Sequence, residues 1–139
     1  MEKKIIILTF FGCLFLNGTY AQLFENQNDA ISPTSIGIIV YSNDPETVWN
    51  ALRIANYSKN EGDTVSIFLL GKGVELDNMI KTDIDIKKQT DTYLNDGGII
   101  LGCGTCLKSR NNKKPQVCKF SSMKDLYQLI RKNKIVLTF

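Results

Sequence analysis

The residues best able to do chemistry in this chain are cysteines, and two of them stand close together in "GIILGCGTCLKSR", residues 98–110. Cys103 ends a short apolar run and Cys106 follows in a C-x-x-C spacing. That spacing, where a strand gives way to a helix, is associated with redox and metal chemistry. Backbone N–H groups at a helix start favour an anion, so a thiolate at Cys103 is expected to have a lowered pKa and to be a good nucleophile. Lys108 and Arg110 add positive charge nearby, while Gly102 and Gly104 let the backbone turn tightly and a partner approach. Thr105 completes the turn. Other readings of the same thiols remain open. A buried cysteine is often a small core residue. A structural disulfide could join Cys103 to Cys106, or either to Cys118, leaving one thiol over. A zinc site would need a carboxylate as fourth ligand, so no metal is expected.

The chain contains no histidine, which removes Ser-His-Asp and Cys-His catalysis and most catalytic zinc sites. A net charge of +3, with no basic face interleaved by aromatics, gives no case for nucleic acid. At 139 residues the chain has room for one domain with a core that needs no disulfide staples.

The first residues, "MEKKIIILTFFGCLFLNGTYAQ", read as a secretory signal peptide. Lys3 and Lys4 precede an apolar run from Ile5 to Leu16, and Thr19-Tyr20-Ala21 puts small residues where a signal peptidase cuts. The run of about twelve residues is too short to span a bilayer, so no stable membrane span is expected after cleavage. The mature protein is then exported, periplasmic or secreted; lipidation at Cys13, in "FFGC", is the alternative. The expected organisation is a signal peptide at 1–21, a flexible leader at 22–34 and one α/β domain at 35–139.

The elements that must position the thiols follow from the pattern of apolar residues. "SIGIIVYS" (35–42) is a continuous apolar run, as suits a strand buried on both faces, "TVSIFLL" (64–70) is a second buried strand, and "IIL" (99–101) and "KIVLTF" (134–139) are the third and last strands. A further short strand is expected near Val117. Asp44 and Pro45 open a helix whose face is Val48, Leu52 and Ala55, and Gly62 closes it. Residues 71–80 read as a turn and a short helix, and 81–96 as a polar helix turning Ile86 and Leu94 inward. Residues 104–110 begin another helical turn. A last helix follows Ser121 or Ser122, with Met123, Leu126, Leu129 and Ile130 as its apolar stripe. Strands alternating with helices predict a three-layer α/β/α fold on a mostly parallel sheet of four to five strands. Ligands in such folds sit outside the carboxyl ends of the strands. Ser42-Asn43-Asp44, Gly71-Lys72-Gly73 and Gly102–Thr105 leave those ends and could converge there.

"IGIIVYSNDPETVWNALRIANYSKNEGDTVSIFLLGKGVE", "GGIILGCGTCLKSR" and "SSMKDLYQLI" together resemble the DsrE/DsrF-like family of sulfur-relay proteins, from about residue 36 to the C-terminus. The resemblance implies an α/β/α fold of flavodoxin-like architecture and homo-oligomers, trimers or hexamers. It implies a sulfur carrier that holds sulfane sulfur as a persulfide on a strand-end cysteine, at the position of Cys103, with no cofactor. Its partners would be donor and acceptor proteins, small thiols or polysulfide. Arg110 lies where sulfur-carrying members have an arginine before a glycine; here Asn111, which also tolerates a left-handed turn, replaces that glycine. Cys106 is not shared by every carrier and would resolve or share the sulfur. Cys118 lies in a loop where a second family cysteine is sometimes found. Classical members are cytoplasmic, whereas this chain is expected to be exported. Two other classes stay in view: an exported thiol–disulfide redox domain using Cys103 and Cys106, and a non-catalytic module binding a small ligand or a protein.

Overall fold

The structure is a computed structural model that describes residues 32–139, which form one compact unit. The expected signal peptide, Cys13 and most of the expected leader fall within 1–31, outside the described residues.

Five strands form one parallel sheet: β1 (Ser35–Val40), β2 (Thr64–Leu69), β3 (Ile100–Cys103), β4 (Lys119–Ser121) and β5 (Ile135–Thr138), in the order β4-β3-β2-β1-β5. The chain steps one way from β1 to β4 and then returns past β1 to place β5. Right-handed crossovers therefore lay the early helices on one face and the last helix on the other. The first face carries α1 (Pro45–Asn60) and α3 (Ile84–Asn95), which pack together. The second carries α5 (Met123–Lys132), against β1, β2 and β4. This is the three-layer α/β/α arrangement expected from the sequence.

β1 is buried from Ile36 to Val40, as a continuous apolar run in an interior strand requires. α1 begins where Asp44 accepts a hydrogen bond from the Thr47 N–H (2.9 Å), with Pro45 in its first turn. Its inner face is Val48, Ala51, Leu52 and Ala55, each at most 2% exposed. Burial of the Val and Leu side chains contributes about 1.5–3 kcal/mol apiece. Gly62, just past the helix, has φ of 93°, as its predicted role as a C-cap requires.

Three local expectations are revised. The polar helix expected over 81–96 is split at Asp83. That residue ends α2 (Leu76–Thr82) and caps α3, accepting from the N–H groups of Asp85 and Ile86 at 3.0 Å. A side chain that competes for backbone donors favours such a boundary. Within α3, Ile86 is fully buried as expected, but the second inward position belongs to Tyr93 rather than Leu94, which is half-buried. Tyr93 reaches through the core to donate its hydroxyl to the Val65 carbonyl at 2.9 Å. The short strand expected near Val117 lies two residues later, at Lys119–Ser121, because Gln116 and Val117 spend their N–H groups on a side chain. In α5 only Leu126 and Leu129 of the expected stripe are buried; Met123 and Ile130 are exposed.

Candidate functional site

The carboxyl ends of β1, β2 and β3 carry the three loops singled out in the sequence, and one carboxylate, in the turn after the second, links the first to the far end of the helix that follows the third. After β2 the chain makes a tight 3₁₀ turn over Gly71–Glu75. Gly73 brings this turn against the end of β1: a Cβ there would lie 2.1 Å from the Val40 carbonyl oxygen. The turn delivers Glu75. Its carboxylate accepts from Asn43 Nδ2 (2.9 Å), in the loop after β1, and from Arg110 Nε (2.9 Å), at the end of α4 (Gly104–Ser109). The Arg110 guanidinium and then the Asn43 amide hold the Glu75 carboxyl below the usual carboxylate range. Arg110 Nη1 also donates to the Cys106 carbonyl (3.2 Å) and to Ser109 Oγ (3.3 Å). Asn111 then turns the chain with φ of 57°, the left-handed conformation its place in the sequence suggested.

Cys103 is the last residue of β3 and the N-cap of α4. Its sulfur accepts the N–H of Cys106 at 3.5 Å, a sulfur version of the N-cap to N3 bond. Cys103 is only 4% exposed, while Cys106 is half-buried. Burial raises the Cys106 pKa, and the adjacent Cys103 side chain raises it further. A hydrogen bond from the Gly71 backbone and the charge of Arg110 pull the other way. The two sulfurs are thus neighbours, and the Gly71 turn closes over Cys106.

The remaining expected residues fall into three groups. Ser42 and Asp44 shape their own loop: Ser42 Oγ accepts from the Asp44 N–H, and Asp44 also accepts from Thr47 Oγ1. Thr105 and Lys108 are exposed on α4. Gly102 and Gly104 permit close packing, the first against Cys118, whose Sγ lies 2.6 Å from where a Gly102 Cβ would stand. Cys118 is buried behind β3, and burial together with the charge of Asp77 pushes its pKa up to about 12. All three described thiols are free.

Two residues escaped the sequence reading. Glu75 was visible only as the end of "LLGKGVE". Asp77, 4% exposed, accepts from Asn112 Nδ2 (2.7 Å) and from the N–H groups of Gln116 (3.0 Å) and Val117 (2.9 Å). It pins the basic loop that leads to Cys118. An acid in the first turn of a short helix signals a favourable dipole contact and nothing more; its partners lie some 40 residues on.

Among the described residues no three cysteines, aspartates or glutamates cluster so as to hold a metal, and no helix is long and apolar enough to cross a membrane. A hollow of about 580 Å³ beside α1, lined by Asn50, Arg53, Asn56, Tyr57 and Gln89, lacks any thiol. The candidate chemistry therefore stays at the strand ends, where the nucleophiles are.

Fold and thiols together define a small α/β protein with a cysteine pair at the carboxyl edge of a parallel sheet. Residues 34–139 match the DsrE/DsrF-like family, and the chain belongs to it. The family is linked to sulfur relay in general. None of the curated proteins matches the chain. Among solved structures, the fold is similar to the YchN protein from E. coli (18% identity, TM-score 0.65, 78% of this chain and 100% of that one). It is also similar to a conserved protein of unknown function, BT1422, from Bacteroides thetaiotaomicron (19% identity, TM-score 0.63, 76% of this chain and 95% of that one).

Proposed function

We propose that this protein is a sulfur carrier with Cys103 as the sulfur-bearing nucleophile. The observation that supports this most is the placement of Cys103 at the end of an interior strand, its sulfur beside Cys106, under loops that Glu75 locks together. The Cys103 thiolate attacks the sulfane sulfur of a donor, either a persulfidated protein or a polysulfide. A new S–S bond forms, the donor leaves as a thiolate, and Cys103 holds S–SH. A second thiol, Cys106 or one on a partner, then receives the sulfur. Ser42, Asn43, Asp44, Gly102, Gly104, Thr105, Lys108 and Arg110 would shape the approach, and neither cofactor nor metal enters a step. Cys118, buried and protonated, is the least suited of the three to exchange.

The N-terminal sequence supports export of the mature domain, or anchoring through Cys13. The exposed apolar side chains of α5, Met123 (57%), Tyr127 (63%) and Ile130 (44%), support a homo-oligomer. They continue the arc of Leu126 and Leu129, so one helix carries more apolar surface than its own sheet covers.

Intact-mass measurement after incubation with polysulfide tests the carrier assignment. Wild type or a Cys106→Ser variant should gain an adduct of about 32 Da on Cys103, and Cys103→Ser should gain none there. Equal uptake by Cys103→Ser would refute it.

A further inference from the structure

We propose that the site discharges its own sulfur: Cys106 closes onto Cys103 as a disulfide, expels the sulfane sulfur as hydrogen sulfide, and leaves the protein to be reset by a dithiol reductant. The step rests on Cys103 carrying a persulfide, and it makes the protein a reductase of sulfane sulfur rather than only a relay.

The geometry comes from the helix start. Cys103 is the N-cap of α4 and Cys106 is its third residue. Side chains at these two positions face each other, which is why capping boxes form there. In this chain both are sulfur, and the Cys106 N–H already bonds the Cys103 sulfur at 3.5 Å. Residues three apart on a helix hold their Cβ atoms about 5–6 Å apart. A disulfide needs roughly 3.5–4.5 Å, so a small local adjustment suffices. Access points the same way. Cys103 is only 4% exposed, whereas Cys106 already adjoins its sulfur, so the tethered thiol needs no approach from outside for the second step. A tethered thiol acts at an effective concentration of millimolar or above. Cys118 is a poor rival, because it is fixed against Gly102 behind the strand.

The chemistry balances. Cys103 holds S–SH in its neutral form, and the Cys106 thiol loses its proton to solvent. The Cys106 sulfur attacks Cys103 Sγ, the inner sulfur, because that is the atom it adjoins. The Sγ–Sγ bond forms and the bond from Cys103 Sγ to the outer sulfur breaks. The outer sulfur leaves with the electron pair as HS⁻. The sulfane sulfur gains two electrons, and the cysteine pair, now a disulfide, has supplied them. A dithiol then exchanges with the disulfide and restores both thiols. The class of reaction that must follow is therefore dithiol–disulfide exchange.

The test loads reduced protein with inorganic polysulfide under argon, removes the excess, and follows intact mass and peptide maps. Wild type should lose its adduct of about 32 Da and end about 2 Da below the reduced mass, with Cys103 joined to Cys106. Cys106→Ser should keep the adduct at least about tenfold longer, since its tethered attacker is gone. Cys106→Ala serves if the serine variant folds poorly. Equal adduct lifetimes in wild type and variant overturn the self-discharge while leaving the carrier role intact. A Cys103–Cys118 disulfide overturns it as well. Failure of Cys106→Ser to take up any sulfur on Cys103 defeats the carrier role and the discharge together.

Discussion

Replacing Asp77 by asparagine should loosen the loop over 111–117 and unmask Cys118, and both effects can be sized. The carboxylate accepts from three groups: the Asn112 amide and the N–H groups of Gln116 and Val117. A hydrogen bond to a charged acceptor contributes about 1.5–3 kcal/mol and a neutral one about 0.5–1.5, so losing the charge costs roughly 1 kcal/mol per donor. Three donors give about 3 kcal/mol. Asn112 can turn its amide over to meet the new NH₂ group, so no clash adds to this. At about 4 °C per kcal/mol for a domain of this size, the melting temperature should fall by roughly 10 °C. Cys118 gives a second readout. With its pKa near about 12, its thiolate population lies about 3 × 10³ below that of an ordinary thiol at about 8.5. The greater nucleophilicity of a more basic thiolate recovers about 25–60-fold. Ionisation alone then slows alkylation of Cys118 by about 10². Iodoacetamide at pH 8 with peptide mapping should find Cys118 inert in wild type and faster by up to that factor in Asp77→Asn. A melting temperature within about 2 °C of wild type, or a Cys118 just as inert, would falsify the idea that one carboxylate holds this loop.

Glu75→Gln probes the tie between loops. The folded-state pKa of Glu75 is depressed, so its stabilisation is fully present above the ordinary carboxylate value of about 4.3 and is lost as pH falls through the folded value. The Glu75 and Arg110 side chains are 33% and 31% exposed, so the pair contributes no more than about 1 kcal/mol. Thermal melts should separate the two proteins by a few degrees at pH 7 (about 4 °C per kcal/mol), converge as pH falls below the ordinary carboxylate range, and draw together in high salt; a gap that persists in strong acid would count against the ion pair. On α5, Tyr127→Glu with Ile130→Glu should lower the mass measured by light scattering while leaving the far-UV CD of the folded protein unchanged, since both side chains lie outside the protomer's own core. An unchanged mass, whether monomeric or oligomeric, would remove α5 as the contact.

Much of the fold is legible in the chain because strong local signals agree with one another. Asp44-Pro45 marks a helix start, Gly62 an end, and the runs over 35–42 and 64–70 are too apolar for anything but buried strands. The same signals place Cys103 and Cys106 at a strand-to-helix junction, where the structure has them. Legibility fails where the deciding contact is distant. Asp83 is one of several acids in "TDIDIKKQTD", and nothing local says that it, rather than Asp85, caps a helix. Tyr93 outranks Leu94 because its hydroxyl finds the Val65 carbonyl 28 residues back. Asp77 and Glu75 take their meaning from Val117 and Arg110, far along the chain, and hydropathy carries no trace of either pairing. The exposed half of the α5 stripe shows the converse limit. Apolar spacing marks a face to be covered but does not say which surface covers it.

The three thiols end up ranked by surroundings rather than by sequence. Cys118 is buried behind the sheet, held protonated by desolvation and by a carboxylate that also fixes its loop. Cys103 is covered yet faces Cys106, whose N–H it accepts. Cys106 is half-buried, under a turn whose Gly71 backbone partly offsets the rise in its pKa. A thiol that ionises reluctantly is a poor first nucleophile, but as a thiolate it is intrinsically more reactive. Such a residue suits a second step that must not outrun the first. In the carrier proposed above, a Cys106 whose pKa is raised by burial and by the neighbouring cysteine suits the later step rather than the first.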